Sequence, residues 1–173
     1  LTFPMRGFSL HWFGNLFEEQ MVGDFEGSFA RSFVLALIVT ALTVVISLAA
    51  GLAFRRPFKG AGILFYLTVA SLIVPSILIT LGIGLMFDRA DWEPTWYSSG
   101  MGAHLTWTLP FGLLIMFAVF NRFDKSYEEA ARDLGASPWQ VLRHVVLPII
   151  APSLVGVGLF GFTLSFDEFA RTL

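Results

Sequence analysis

Long apolar runs alternate with short polar clusters along this chain, and the alternation sets the elements to expect. A bilayer's hydrocarbon core of ~30 Å takes about 20 apolar residues of helix at 1.5 Å each. Four runs reach or approach that length, at about 32–54, 61–87, 101–120 and 149–168, with Pro152 near the start of the last. The second is the longest and is expected to tilt, or to bend at Pro75, because proline cannot donate to the helical ladder. Pro110 offers the third run a similar place. Glycines recur through the runs (Gly51, Gly82, Gly84, Gly112, Gly156, Gly158, Gly161). Such small residues let membrane helices approach closely, since lipid supplies no hydrophobic drive for association. Residues 1–31 are rich in aromatics, with acids at Glu18, Glu19, Asp24 and Glu26. They read as an interfacial outer segment or as a plain connection to a preceding span.

The polar clusters predict orientation. Basic residues gather on alternate connections: Arg55, Arg56 and Lys59 after the first run, then Arg122, Lys125, Arg132 and Arg143 after the third. The connection between them, 88–100, has Arg89 alone against Asp88, Asp91 and Glu93, and its Trp92, Trp96 and Tyr97 suit an aromatic belt. By the positive-inside rule the basic connections are expected in the cytoplasm.

The connection at about 126–147 carries two helix-start signals in tandem. Ser126 with Glu129 matches a capping box, predicting a short helix over 127–134 that Gly135 closes in the left-handed conformation. Ser137, Pro138 and Gln140 repeat the signal, with proline at the first helical position. The second helix is expected to reach about Val146, where Leu147-Pro148 leads into the membrane. Ala130 and Ala131 leave a nearly flat face, while Trp139, Val141 and Leu142 form an apolar one that needs covering. A rigid hairpin of this kind either docks a soluble partner or braces its own transmembrane helices.

Composition agrees with a membrane chain. Of 173 residues, 55% are hydrophobic and 14% charged, against roughly 25% charged in a soluble domain; mean hydropathy is +0.72. The expected fold is an all-α polytopic bundle, one transmembrane domain over 1–173. Net charge of -2 gives no reason to expect nucleic acid. With no cysteine there are no disulfides or thiolate metal sites. His11, His104 and His144 lack ligand spacing, so no metal and no resident cofactor is expected. A first residue of Leu rather than Met suggests an interior piece of a longer chain.

Glu129-Ala130-Ala131, three residues, Gly135, nine residues, Val145, one residue and Leu147-Pro148 resembles the EAA motif of permease subunits of bacterial ATP-binding-cassette importers. Valine stands where that family usually has isoleucine. The resemblance extends over nearly the whole chain, and the stretches 3–13 (FPMRGFSLHWF) and 164–169 (LSFDEF) are similar to the spermidine/putrescine branch. It implies a core of six spans, the outer two missing here, in the inner membrane with the hairpin cytoplasmic. It implies that Glu129, Ala130, Ala131, Gly135, Leu147 and Pro148 couple to a separate cytoplasmic ATPase dimer, which binds the ATP. That accords with the lack of any G-x-x-x-x-G-K-[ST] phosphate loop in this chain. A second permease subunit and an external solute-binding protein are the other implied partners.

Asp167 and Glu168 follow the last run. If that span begins at Pro152, Asp167 lies ~22 Å along it, where a lipid-facing carboxylate costs of order 2.5 kcal/mol. One of the pair is then expected to face a path for a cationic solute. If the helix ends near Phe166, both acids sit at the outer interface or pair with Arg171. Iron, amino-acid and sulfonate importers remain open, as do a polytopic scaffold and an intramembrane hydrolase. The hydrolase, a serine acting with His104, is disfavoured because Ser71, Ser76 and Ser165 lack an evident base at suitable spacing.

Overall fold

The first apolar run forms a single helix, α1 (Phe25–Phe54), which starts earlier than the expected 32, so that 25–31 of the expected outer segment are helical and continuous with the span. The computed structural model describes residues 25–168. After α1 come α2 (Ala61–Ser71), α3 (Ser76–Arg89), α4 (Met101–Arg122), α5 (Ser126–Asp133) and α6 (Pro138–Phe166). All regular structure among the described residues is helical. Three helices are long and apolar enough to cross a membrane: α1, α6, and α4 together with the π-helical turn Trp96–Gly100 that leads into it.

The second apolar run bends at Pro75, the second of the two expectations, and does so as two helices with a turn of 105° between α2 and α3. Leu72 and Ile73 bond back to the carbonyls of Val69 and Ala70 at 3.1 Å each, closing α2. Pro75 then stands at the N-cap of α3, where its missing N–H is one the helix end would not have used. Its ring also disfavours helical geometry at Val74, so the chain breaks just ahead of it. Neither α2 nor α3 carries a buried residue.

The core lies between α1, α4 and α6. Thr43 meets Thr108, Ser47 lies against Gly112, and Gly51 lies against Met116 and Phe120. These pairs advance by four residues together, so α1 and α4 run parallel with their i±4 ridges in contact. A Cβ on Gly112 would collide with the Ser47 hydroxyl, and one on Gly51 would come within 2.8 Å of the Phe120 ring. α6 returns antiparallel: Phe162 packs on Phe33 and Phe166 on Phe29, each with ring centroids 5.8 Å apart. Met116, Ile150, Val39 and Val157 are almost fully buried in this three-helix contact. The start of α1, the start of α4 and the end of α6 therefore share one end of the bundle. The α5–α6 hairpin occupies the other, beside Arg55 and Arg56.

Candidate functional site: the helical hairpin and its anchor

The hairpin begins differently from its sequence signal. α5 starts at Ser126, one residue earlier than expected, with Lys125 at the N-cap and no side-chain cap bond there. Ser126 is thus already inside the helix and cannot form the expected box with Glu129. Asp124 serves instead, its carboxylate accepting the Ser126 backbone N–H at 2.9 Å. That bond, then a second one from the Ser126 hydroxyl, holds the Asp124 carboxyl below its usual pKa, because both favour the charged form.

The close of α5 follows the sequence. Gly135 adopts φ +84, its N–H donates to the Arg132 carbonyl at 2.8 Å, and the Ala136 N–H donates to the Ala131 carbonyl at 3.0 Å. The two bonds together make a Schellman motif, with glycine at its left-handed position. The next helix opens on the expected box: Ser137 Oγ accepts the Gln140 N–H at 3.4 Å and Gln140 Oε1 accepts the Ser137 N–H at 2.8 Å. It does not stop at Val146. The backbone passes through a π-helical turn, Leu142–Val146, and α6 continues unbroken to Phe166. Pro148 lacks the N–H that would bond one turn back, and the wider π turn lets the helix absorb that loss.

Glu128 anchors the hairpin. It is buried, ion-paired to Arg55 from the turn after α1, and lies 3.5 Å from Arg132 one turn on. The Arg55 guanidinium in turn sits over the rings of Phe120 at 5.1 Å and Phe123 at 5.2 Å. Beneath this cluster Val141 and Val146 pack into the core beside Met116 and Phe120. Sequence reasoning singled out Glu129 and passed over Glu128. Ala131 and Arg132, three and four residues on, share its helical face, but no local signal points to Arg55.

The six motif residues divide by exposure. Glu129, Ala130, Gly135 and Pro148 face outward, whereas Ala131 and Leu147 are half-buried against the core. Beside the outward four, Leu134 is 90% exposed and Trp139 64%. Of the apolar face expected to need cover, Val141 is buried within this chain, Leu142 is half-buried, and Trp139 is left outside.

At the opposite end, α6 stops at Phe166 and Asp167 is its C-cap, donating its N–H to the Thr163 carbonyl at 3.1 Å. The helix ends at Phe166, the second of the two expectations, so Asp167 falls beyond its last residue instead of within the run. Its side chain is exposed and Glu168 is half-buried. Stretch 3–13, His11 and Arg171 lie outside the described residues. Nearby, His104 Nδ1 is 2.8 Å from Ser165 Oγ, and both side chains are buried. The sequence concealed this pair, which spans 61 residues and two helices. The hydroxyl thus has a base beside it, but neither residue lines the cavities found at the hairpin, at the α2–α4 cleft or on the 88–100 connection. Among the described residues, no three His, Asp or Glu side chains group as a metal site.

Residues 43–172 match the family described as binding-protein-dependent transport system inner membrane component. The chain is 31% identical over 168 residues to the spermidine/putrescine transport system permease protein PotC of Haemophilus influenzae, covering 94% of this chain and 62% of that protein. It is 28% identical over 167 residues to the putrescine transport system permease protein PotI of Escherichia coli, covering 94% and 59%. The trehalose/maltose transport system permease protein MalG of Thermococcus litoralis is 32% identical over 144 residues, covering 83% and 51%. The chain spans about three fifths of the length of the two polyamine relatives and about half that of MalG.

Proposed function

The chain belongs to the family of binding-protein-dependent transport system inner membrane components, and from that premise we propose that it forms part of a solute path whose movement is driven through its hairpin. It is a multi-pass inner-membrane permease of the ATP-binding-cassette importer kind. In this reading the outward face of the hairpin, Glu129, Ala130 and Gly135 with Leu134 and Trp139 beside them, receives a cytoplasmic ATPase. Ala131 and Leu147, half-buried, act from behind, and Pro148 sets the course of α6 where it leaves the π turn.

One observation carries the reading. The hairpin is exposed on one side, where no described residue covers Leu134 and Trp139, and fixed on the other by Glu128, Arg55 and Arg132. A loop that only braced the bundle would turn its apolar side chains inward. A face presented rigidly is what a partner needs if force is to pass through it, because less ordering entropy is lost on docking. ATP binds the partner, and this chain supplies no catalytic group. A second permease subunit encloses the path, and α2 and α3, with no buried residue of their own, offer it a surface. An external solute-binding protein delivers the cargo.

The proposed cargo is a polyamine such as spermidine or putrescine. The names of PotC and PotI support it, and Asp167 and Glu168 provide carboxylates for an ammonium group at the end of the bundle away from the hairpin. MalG's comparable identity favours a sugar as the second reading. Uptake of labelled putrescine, spermidine, maltose and trehalose by cells with the complete transporter separates the two. Saturable amine uptake that Trp139→Asp abolishes while the protein remains in the membrane is the expected result. Uptake of sugar alone removes the polyamine reading, and unchanged uptake by Trp139→Asp removes the docking face.

A further inference from the structure

Two cavities meet where the bundle joins the hairpin, and they differ in chemistry. One, of about 840 Å³, is a slot between α1, α2 and α4 walled by Phe54, Phe65, Phe117 and Phe120. The other, of about 560 Å³, lies between the end of α1 and the hairpin and has Arg56, Arg132 and Glu129 on its wall. Arg55 and Lys125 line both, so the apolar slot opens onto a basic mouth.

Charge at the mouth is unbalanced. Arg55, Arg56, Lys125 and Arg132 stand against Glu128 and Glu129. Glu128 is already held by Arg55 and Arg132. Among the described residues, Arg56 and Lys125 have no carboxylate within ion-pair distance. The slot reaches from this mouth back to Leu114 on α4, and Leu114 to Arg122 covers ~12 Å of helix, most of one leaflet's ~15 Å of hydrocarbon. An aromatic slot of that depth, leading from a cationic mouth at the membrane boundary, fits an amphiphile with an anionic head.

We infer that this composite cavity binds one anionic phospholipid, its phosphate held by Arg56 and Lys125 and an acyl chain lying in the slot beside Phe65 and Phe117. Basic pockets between membrane helices take lipid headgroups in this way, and the attraction adds over the cations near the surface. A soluble anion would use the mouth but leave the slot idle, and a helix of a second subunit would use the slot without needing the charge.

The inference is separable from transport, because lipid retention is read on the purified complex without any flux. The complete transporter is washed in detergent with mixed phosphatidylglycerol and phosphatidylcholine, and the retained lipids are counted by native mass spectrometry. One phosphatidylglycerol per copy of this subunit, in excess over phosphatidylcholine, is expected. Arg56→Gln with Lys125→Gln should lower its retention about tenfold or more, as the loss of two cations near the surface implies. Gly62→Leu should lower it too with every charge in place, since a side chain at Gly62 on the slot wall meets no atom within 4 Å and can project into the space. Equal retention of both lipids by the wild type, or full retention by both variants, overturns the inference. So does loss in the charge variant alone if inorganic phosphate also displaces the lipid, since the mouth would then bind a free anion.

Discussion

A valine at position 135 would have to adopt the φ of +84 that Gly135 holds, at a cost of about 1–2 kcal/mol for a residue with a Cβ. Space is not the obstacle, since a Cβ there meets no atom within 4 Å. The strain falls on the turn that sets α5 against α6. Gly135→Val is therefore expected to insert and accumulate normally but to lose most ATPase-dependent uptake; wild-type uptake would show that the turn angle does not matter. This residue was legible in the sequence because only its backbone is asked for. Glu128 was not, since its role depends on Arg55, 73 residues away, and on two phenylalanine rings that no local motif brings beneath the guanidinium. The Ser126 cap failed for a smaller reason: Asp124, two residues upstream, reaches the same N–H.

Between elements, the contact of α1 with α4 depends on how closely their backbones come. A methyl on Gly112 meets Ser47 and Thr43, whereas one on Gly156 meets nothing within 4 Å. Gly112→Ala should destabilise the bundle by about 1–3 kcal/mol, in the range for an overfilled core, and Gly156→Ala should leave thermal stability in detergent unchanged. Equal melting temperatures for the two variants would contradict the α1–α4 packing described above. The sequence could say that glycines belong in such helices, but only the fold distinguishes those that touch a neighbour. Element boundaries were read well at Phe54, where the apolar run meets Arg55 and Arg56, and at Ser137, where a capping box stands. They were misread at Leu147-Pro148, where a π turn lets the helix accommodate a proline that ordinarily ends one.

For the molecule as a whole, the described chain closes only part of its own surface. α1, α4 and α6 bury their contacts with one another, while α2 and α3 present Leu67, Leu85 and Met86 outward. The class of protein was plain from the apolar runs, but which faces meet lipid and which meet another subunit is not encoded in hydropathy, since both are apolar. Cargo belongs to this scale as well. If Asp167 helps to draw an ammonium group from the outer end of the bundle, Asp167→Asn should raise the KM for putrescine several-fold with ATPase coupling intact. An unchanged KM would leave the acid as a helix cap.

The unbroken course of α6 has one mechanical corollary. Its 29 residues measure ~43 Å at 1.5 Å each, and the same rod begins beside Trp139 and finishes beside His104. A swing of about 10° that is not taken up at the π turn Leu142–Val146 or at Pro148 and Pro152, the places where a helix bends most readily, would sweep Ser165 through roughly 7 Å on that length. The hydroxyl–imidazole bond between those two residues would then be the latch that must open before the rod can turn.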